Sequence, residues 1–165
     1  MADVEQLKMA GHVMRCYLAD NGLEVRDLAV QCWRANMEIK PLLEDFFGTP
    51  LTLTFGAIET SPGTVRFQMD EKELRSLVRN GLDLASPALN LHAWLTFPSM
   101  EIIDITYLTS YGVVNDKPHL LGLVVTGMPG TLNPADYTYH PLVLGENFVE
   151  AAKLNQVMFA WGPAD

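Results

Sequence analysis

Residues 91–106 read LHAWLTFPSMEIIDIT, and the reading of this stretch decides the fold. Two runs rich in β-branched and aromatic residues, 91–97 and 101–106, flank Pro98-Ser99-Met100, so the spacing predicts two antiparallel strands joined by a three-residue loop. If Phe97 pairs with Glu101 across that loop, Trp94 opposes Asp104 and His92 opposes Thr106. His92 and Asp104 then lie on one face as diagonal neighbours. A loop of two or four residues would put them on opposite faces, so the chemistry of the segment hangs on one register.

Upstream, residues 51–58 and 64–69 also alternate, around a turn at Ser61-Pro62-Gly63, and predict a second hairpin. Before Gly48-Thr49-Pro50 the period is 3.6. Val4, Leu7, Ala10, Met14, Tyr17 and Leu18 make one apolar stripe, which predicts a helix over 4–19 that stops near Asn21-Gly22. Leu28, Cys32, Ala35, Ile39, Leu42, Leu43, Phe46 and Phe47 carry a second helical pattern over 25–47, ended by Gly48. Pro41 interrupts it, which predicts one kinked helix or two abutting ones. Asp70 and Glu73 form a capping box for a short helix that ends at Asn80-Gly81, followed by a loop over 85–90.

Downstream of residue 106 the chain reads as irregular through Asn115-Asp116-Lys117-Pro118. Strands are expected over 119–126 and 137–144, separated by a Gly/Pro-rich loop over 127–134, and a short helix over 146–154. Helices first and antiparallel strands after them predict an α+β fold, with N-terminal helices packed on an antiparallel sheet in one domain over 1–165.

Composition narrows the function classes. Of the 165 residues 48% are hydrophobic and 19% charged, which excludes a disordered chain. Eleven Lys and Arg against twenty Asp and Glu give a net charge of −9, a balance that argues against nucleic acid and anionic membrane as partners. The first residues carry Asp3, Glu5 and Lys8 where a secretory signal needs a basic patch and an apolar run, and the strongest apolar stretch is far short of the ~20 residues that span a bilayer. A cytoplasmic location with no membrane association is expected. Two cysteines suit a reducing compartment, where they stay as thiols. Dispersed histidines, no paired-cysteine motif and no phosphate-binding glycine loop predict neither a metal nor a nucleotide cofactor.

A catalytic imidazole needs one nitrogen turned to the reacting centre and the other held by an acceptor. Asp104 is placed to hold His92, and Cys32 is the candidate nucleophile. A helix N-terminus and a neighbouring imidazolium both favour a thiolate, so the effect on Cys32 depends on whether the helix starts near Val30 or further back at Arg26 or Asp27. Each residue also has a plain structural reading. A helix cysteine is commonly core filler, which is the reading for Cys16. Trp94 serves as a core aromatic or as cleft lining. Gln31, Tyr139 and His140 are further cleft candidates, while His12 and His119 have no partner in the pattern.

The His92–Thr106 wording resembles the His-Ala-Trp strand and Asp-x-Thr strand of the transglutaminase-like branch of papain-like cysteine enzymes. Cys32, followed by a helix ending LLEDFFGTPLTLTFGAIE, is similar to the cysteine helix and first strand of small bacterial members of that superfamily. The likeness covers about residues 25–107. It implies a cysteine-bearing helix packed on an antiparallel sheet, with Cys32 as nucleophile, His92 as general base and Asp104 as the residue that orients the ring. The implied activity is acyl transfer through a thioester, as a peptidase, amidase or acyltransferase on a peptide, amide or other acyl substrate. With net charge −9, a neutral or basic acyl donor is expected over an anionic one. A non-catalytic binding or regulatory module of the same fold is the alternative, because no upstream Gln stands at the spacing of an oxyanion donor. Edge strands leave a homodimer open.

Overall fold

The computed structural model describes residues 4–61, 63–83, 89–128 and 137–155. It has an α+β fold: helices packed on a curled six-stranded sheet in which every pairing is antiparallel. Helix α1 (Val4–Asp20) buries Leu7, Ala10, Met14 and Leu18 on one stripe, and Gly22 closes it with φ +65°. Cys16 falls off that stripe. Instead of filling the core it is exposed, with its sulfur 3.6 Å from His12 Nε2 one turn earlier.

The second helical pattern breaks, but not at Pro41. Val25–Leu28 forms a 3-10 turn, Ala29 is extended, and Val30 has φ +54°, so helix α2 starts afresh at Cys32 and runs to Phe47. Left-handed backbone at a β-branched residue cannot continue a right-handed helix. Pro41 is instead accommodated inside α2, which Gly48 ends in the left-handed conformation.

Strand β1 (Thr52–Ser61) is the hub, pairing with β2 (Thr64–Arg66), β3 (His92–Thr96) and β6 (Thr138–Leu144). The expected strand over 64–69 stops at Arg66 because Phe67 takes φ +59°. Asp70 and Glu73 complete the capping box of α3 (Glu71–Asn80), and Gly81 caps its end. The expected loop over 85–90 and the loop over 127–134 lie mostly outside the described residues.

Strand β4 (Ile102–Asp104) pairs with β3 in the register of the three-residue loop: Leu95 opposes Ile103, Thr96 opposes Ile102, and the Phe97 N–H donates to the Glu101 carbonyl at 2.8 Å. After β4 the chain forms α4 (Tyr107–Val114) where irregular chain was expected. Its signal is displaced in sequence: Thr106 makes no side-chain cap, and Asp104 accepts the Thr106 and Tyr107 N–H groups, both at 3.0 Å. The strand expected over 119–126 is shortened to β5 (Val125–Gly127), because Pro118–Leu120 forms a 3-10 turn and Gly122 turns the chain at φ +76°. Helix α5 (Asn147–Ala151) follows β6.

Side-chain alternation divides the core. Phe55, Ala93, Leu95 and Ile103 face α1 and α2, while Ile58, Trp94, Ile102 and Tyr139 pack together on the opposite face of the sheet. Among the described residues no helix is long and apolar enough to cross a membrane.

Candidate active site

His92 is the first residue of β3 and Asp104 the last of β4, and both side chains are buried, at 2% and 0% exposure. His92 Nε2 and Asp104 Oδ2 are 2.6 Å apart. Such a short contact between a ring nitrogen and a carboxylate is a charge-assisted hydrogen bond. The other carboxylate oxygen, Oδ1, accepts from Thr106 N, Thr106 Oγ1 and Tyr107 N at 3.0–3.1 Å, and the Tyr139 hydroxyl donates to Oδ2 at 2.8 Å. Five donors therefore converge on one buried carboxylate.

That convergence sets the protonation states. Burial alone would raise Asp104, but the His92 ring and the donors at Thr106 and Tyr139 hold it below the usual carboxylate range. Burial would likewise depress His92. The Asp104 carboxylate, aided by the Cys32 thiol, reverses this and holds the imidazole well above its ordinary value.

Cys32 occupies the first position of α2 and is half-buried, and its thiol is near enough to the His92 ring to be one of the smaller causes that raise it. Because Nε2 is committed to Asp104, Nδ1 is the ring nitrogen open to the thiol. The first turn of α2 is fixed to the strand: Asn36, fully buried, donates from Nδ2 to its own Cys32 carbonyl at 2.7 Å and to the Ala93 carbonyl at 3.0 Å. On the other side Val30 N–H donates to Ser110 Oγ at 3.0 Å, tying the turn before Cys32 to α4. Strained backbone at Val30, 80% exposed, thus directly precedes the cysteine and is held from outside.

Aromatic rings enclose the imidazole. Phe67 lies 5.2 Å from the His92 ring, Tyr107 5.6 Å in edge contact, and Trp94 6.3 Å and nearly parallel. Phe67 gets there because β2 and β3 share one edge of β1: Arg66 pairs with Ile58 and His92 with Gly56. Gly56 is required there. A Cβ on it would stand 2.0 Å from the His140 carbonyl oxygen and 2.8 Å from Trp94 Cη2.

The cleft candidates divide. Gln31 is exposed as the residue before Cys32. Trp94 is 1% exposed and packs edge-on against Tyr139 at 5.0 Å, which makes it the buried support beneath His92 rather than an open surface. Tyr139 is buried too, and its hydroxyl is spent on Asp104. His140, the next residue on β6, points away from Tyr139 by strand alternation and meets Glu59 Oε2 at 3.1 Å. Asn36, Phe67 and Tyr107 were missed from the sequence. Only Asn36 left a trace, four residues after Cys32 and so on the same helix face. Among the described residues no group of three or more His, Cys, Asp or Glu gathers as a metal site.

Comparison with protein-family models, characterised proteins and solved structures finds no match to this chain.

Proposed function

We propose that the chain is a cysteine-dependent acyl-transfer enzyme of papain/transglutaminase-like fold, a peptidase, amidase or acyltransferase. The observation that carries the reading is a half-buried thiol at a helix start beside an imidazole whose far nitrogen is held by a buried carboxylate.

In that reading the thiol proton already rests on His92 Nδ1, where the raised imidazole holds it, and Cys32 Sγ attacks the substrate carbonyl carbon as the thiolate. The Cys32 N–H, at the first helical position and without an intrahelical partner, is available to the developing oxyanion. As the C–N bond breaks, the imidazolium returns the proton to the leaving amine. Water, or a second amine, then attacks the thioester, and His92 accepts the incoming proton before the thiol departs. Asp104 stays ionised throughout and keeps Nε2 protonated, so that Nδ1 is the nitrogen that gives the proton to the leaving amine and takes one from the incoming nucleophile.

Iodoacetamide labelling tests the proposal. Cys16 also has an imidazole nearby, so the measurement uses the Cys16→Ser protein and follows Cys32 alone. At neutral pH, Cys32 in the folded protein should react faster than the same thiol after unfolding in urea, and His92→Ala should abolish the excess. Labelling of folded Cys32 no faster than in the unfolded chain refutes the enzyme.

A further inference from the structure

A tyrosine surface carrying two cations adjoins the imidazole. Tyr107 is in edge contact with His92 at 5.6 Å, and Tyr111, one turn on along α4, lies 6.2 Å from Tyr107. Tyr137 meets Tyr107 from the strand side at 5.3 Å. Over the Tyr111 ring stand Arg66 Cζ, at 5.7 Å from its centroid, and Lys117 Nζ, at 4.9 Å. Lys117 Nζ also donates to the Tyr111 hydroxyl at 3.3 Å. Burial and the neighbouring Tyr111 raise the Tyr137 hydroxyl, and Lys117 and Arg66 act on it in the opposite sense.

Three features mark this patch as built. In a protein of net charge −9, Arg66 and Lys117 form no ion pair among the described residues. The Tyr107 hydroxyl is buried and has no hydrogen-bond partner among them. The backbone also brings the cations in: the chain after α4 folds back so closely that a Cβ on Gly112 would meet the Lys117 carbonyl oxygen at 2.8 Å, and Phe67, next to Arg66, takes a left-handed φ of +59°.

We infer that Arg66, Lys117 and the hydroxyls of Tyr111 and Tyr137 form a subsite for a carboxylate on the acyl substrate, about three residues' reach from the reacting carbonyl. That reach is an upper limit, set by two ring-to-ring steps of 5.6 and 6.2 Å and an extended chain rise of about 3.3–3.6 Å per residue. The proposal rests on the acyl-transfer reading and reverses the preference for neutral or basic substrates that the whole-chain charge suggests. Field at a site is set by the nearest charges, because distant exposed ones are screened beyond about 10 Å.

The test uses four affinity labels on the Cys16→Ser protein: bromoacetyl-glycylglycine and its C-terminal amide, and bromoacetyl-glycyl-aspartic α-amide, whose one carboxylate is on the side chain, with the corresponding diamide, which carries none. At least one acid should label Cys32 about five- to tenfold faster than its neutral counterpart, the scale of two exposed ion pairs. The faster acid tells a terminal carboxylate from an acidic side chain. The ratio should fall to one in Arg66→Gln/Lys117→Gln and in 1 M salt. Equal rates for acids and amides, with fast iodoacetamide labelling intact, overturn the subsite alone. Slow iodoacetamide labelling overturns the acyl-transfer reading beneath it.

Discussion

Asp104→Asn is the substitution on which the site's logic is most exposed. The native carboxylate is fully buried and takes five donors, two on Oδ2 and three on Oδ1. Asparagine keeps one acceptor oxygen, which the Thr106 and Tyr107 donors would claim. Its amide nitrogen would then face His92 Nε2 and the Tyr139 hydroxyl, turning the His92 contact into donor against donor and forcing Tyr139 to rotate from donor to acceptor. Imidazole can relieve its clash only by moving its proton to Nδ1, which leaves no base facing Cys32. Breaking a buried charge pair from one side costs about 3–5 kcal/mol, and urea unfolding at pH 6 should show a loss of that size together with loss of the excess Cys32 labelling.

The pH dependence gives an independent reading. The folded pKa of His92 is raised, so its contribution is fully present below the unfolded value near ~6.5 and is lost as pH rises through the raised folded value. The folded pKa of Asp104 is lowered, so its contribution is present above the unfolded value near ~3.9 and is lost as pH falls through the folded one. Wild-type stability should therefore fall on both sides of a maximum between those unfolded values, and Asp104→Asn should flatten both limbs. A loss under about 1 kcal/mol at pH 6, with both limbs unchanged, would refute the coupling.

Tyr139→Phe removes one donor from Asp104 and should cost about 1–3 kcal/mol in urea unfolding, while raising the Asp104 titration midpoint followed by NMR. An unmoved midpoint argues that Tyr139 only fills space. Gly56→Ala drives a methyl into the His140 carbonyl and the Trp94 ring and should destabilise by about 1–3 kcal/mol, read as a lowered thermal midpoint. Val30→Gly relieves a left-handed backbone that costs a non-glycine residue about 1–2 kcal/mol and should unfold at equal or higher urea. A clear loss of stability there would mean that Val30 is not strained.

How much of the site was legible depends on how far apart in sequence its causes lie. The β3–β4 hairpin was readable because three residues of loop and the two-residue period of a strand fix which side chains share a face. The break before Cys32 was not, because Val30 adopts a conformation that its residue type disfavours and that a bond to Ser110, eighty residues away, helps to hold. Helix α4 was missed for a related reason: its cap comes from Asp104, a residue already assigned to a strand. Cys16 was misjudged because an apolar stripe of helical period does not say how wide the buried face is, and the stripe ends at Met14 and Leu18.

The sequence by itself determined the α+β class, the capping box at Asp70 and the glycine stops, and it named the one register that would set His92 diagonal to Asp104, which the structure then chose. These are local, resting on periodicity and on the conformational limits of a few residues. Only the tertiary structure decided that α2 begins at Cys32, that Tyr139 supports the carboxylate instead of lining a cleft, and that Arg66 and Lys117 gather over Tyr111. Each of those depends on segments distant in sequence meeting in space, where burial and opposing charge, rather than residue type, settle what a side chain does.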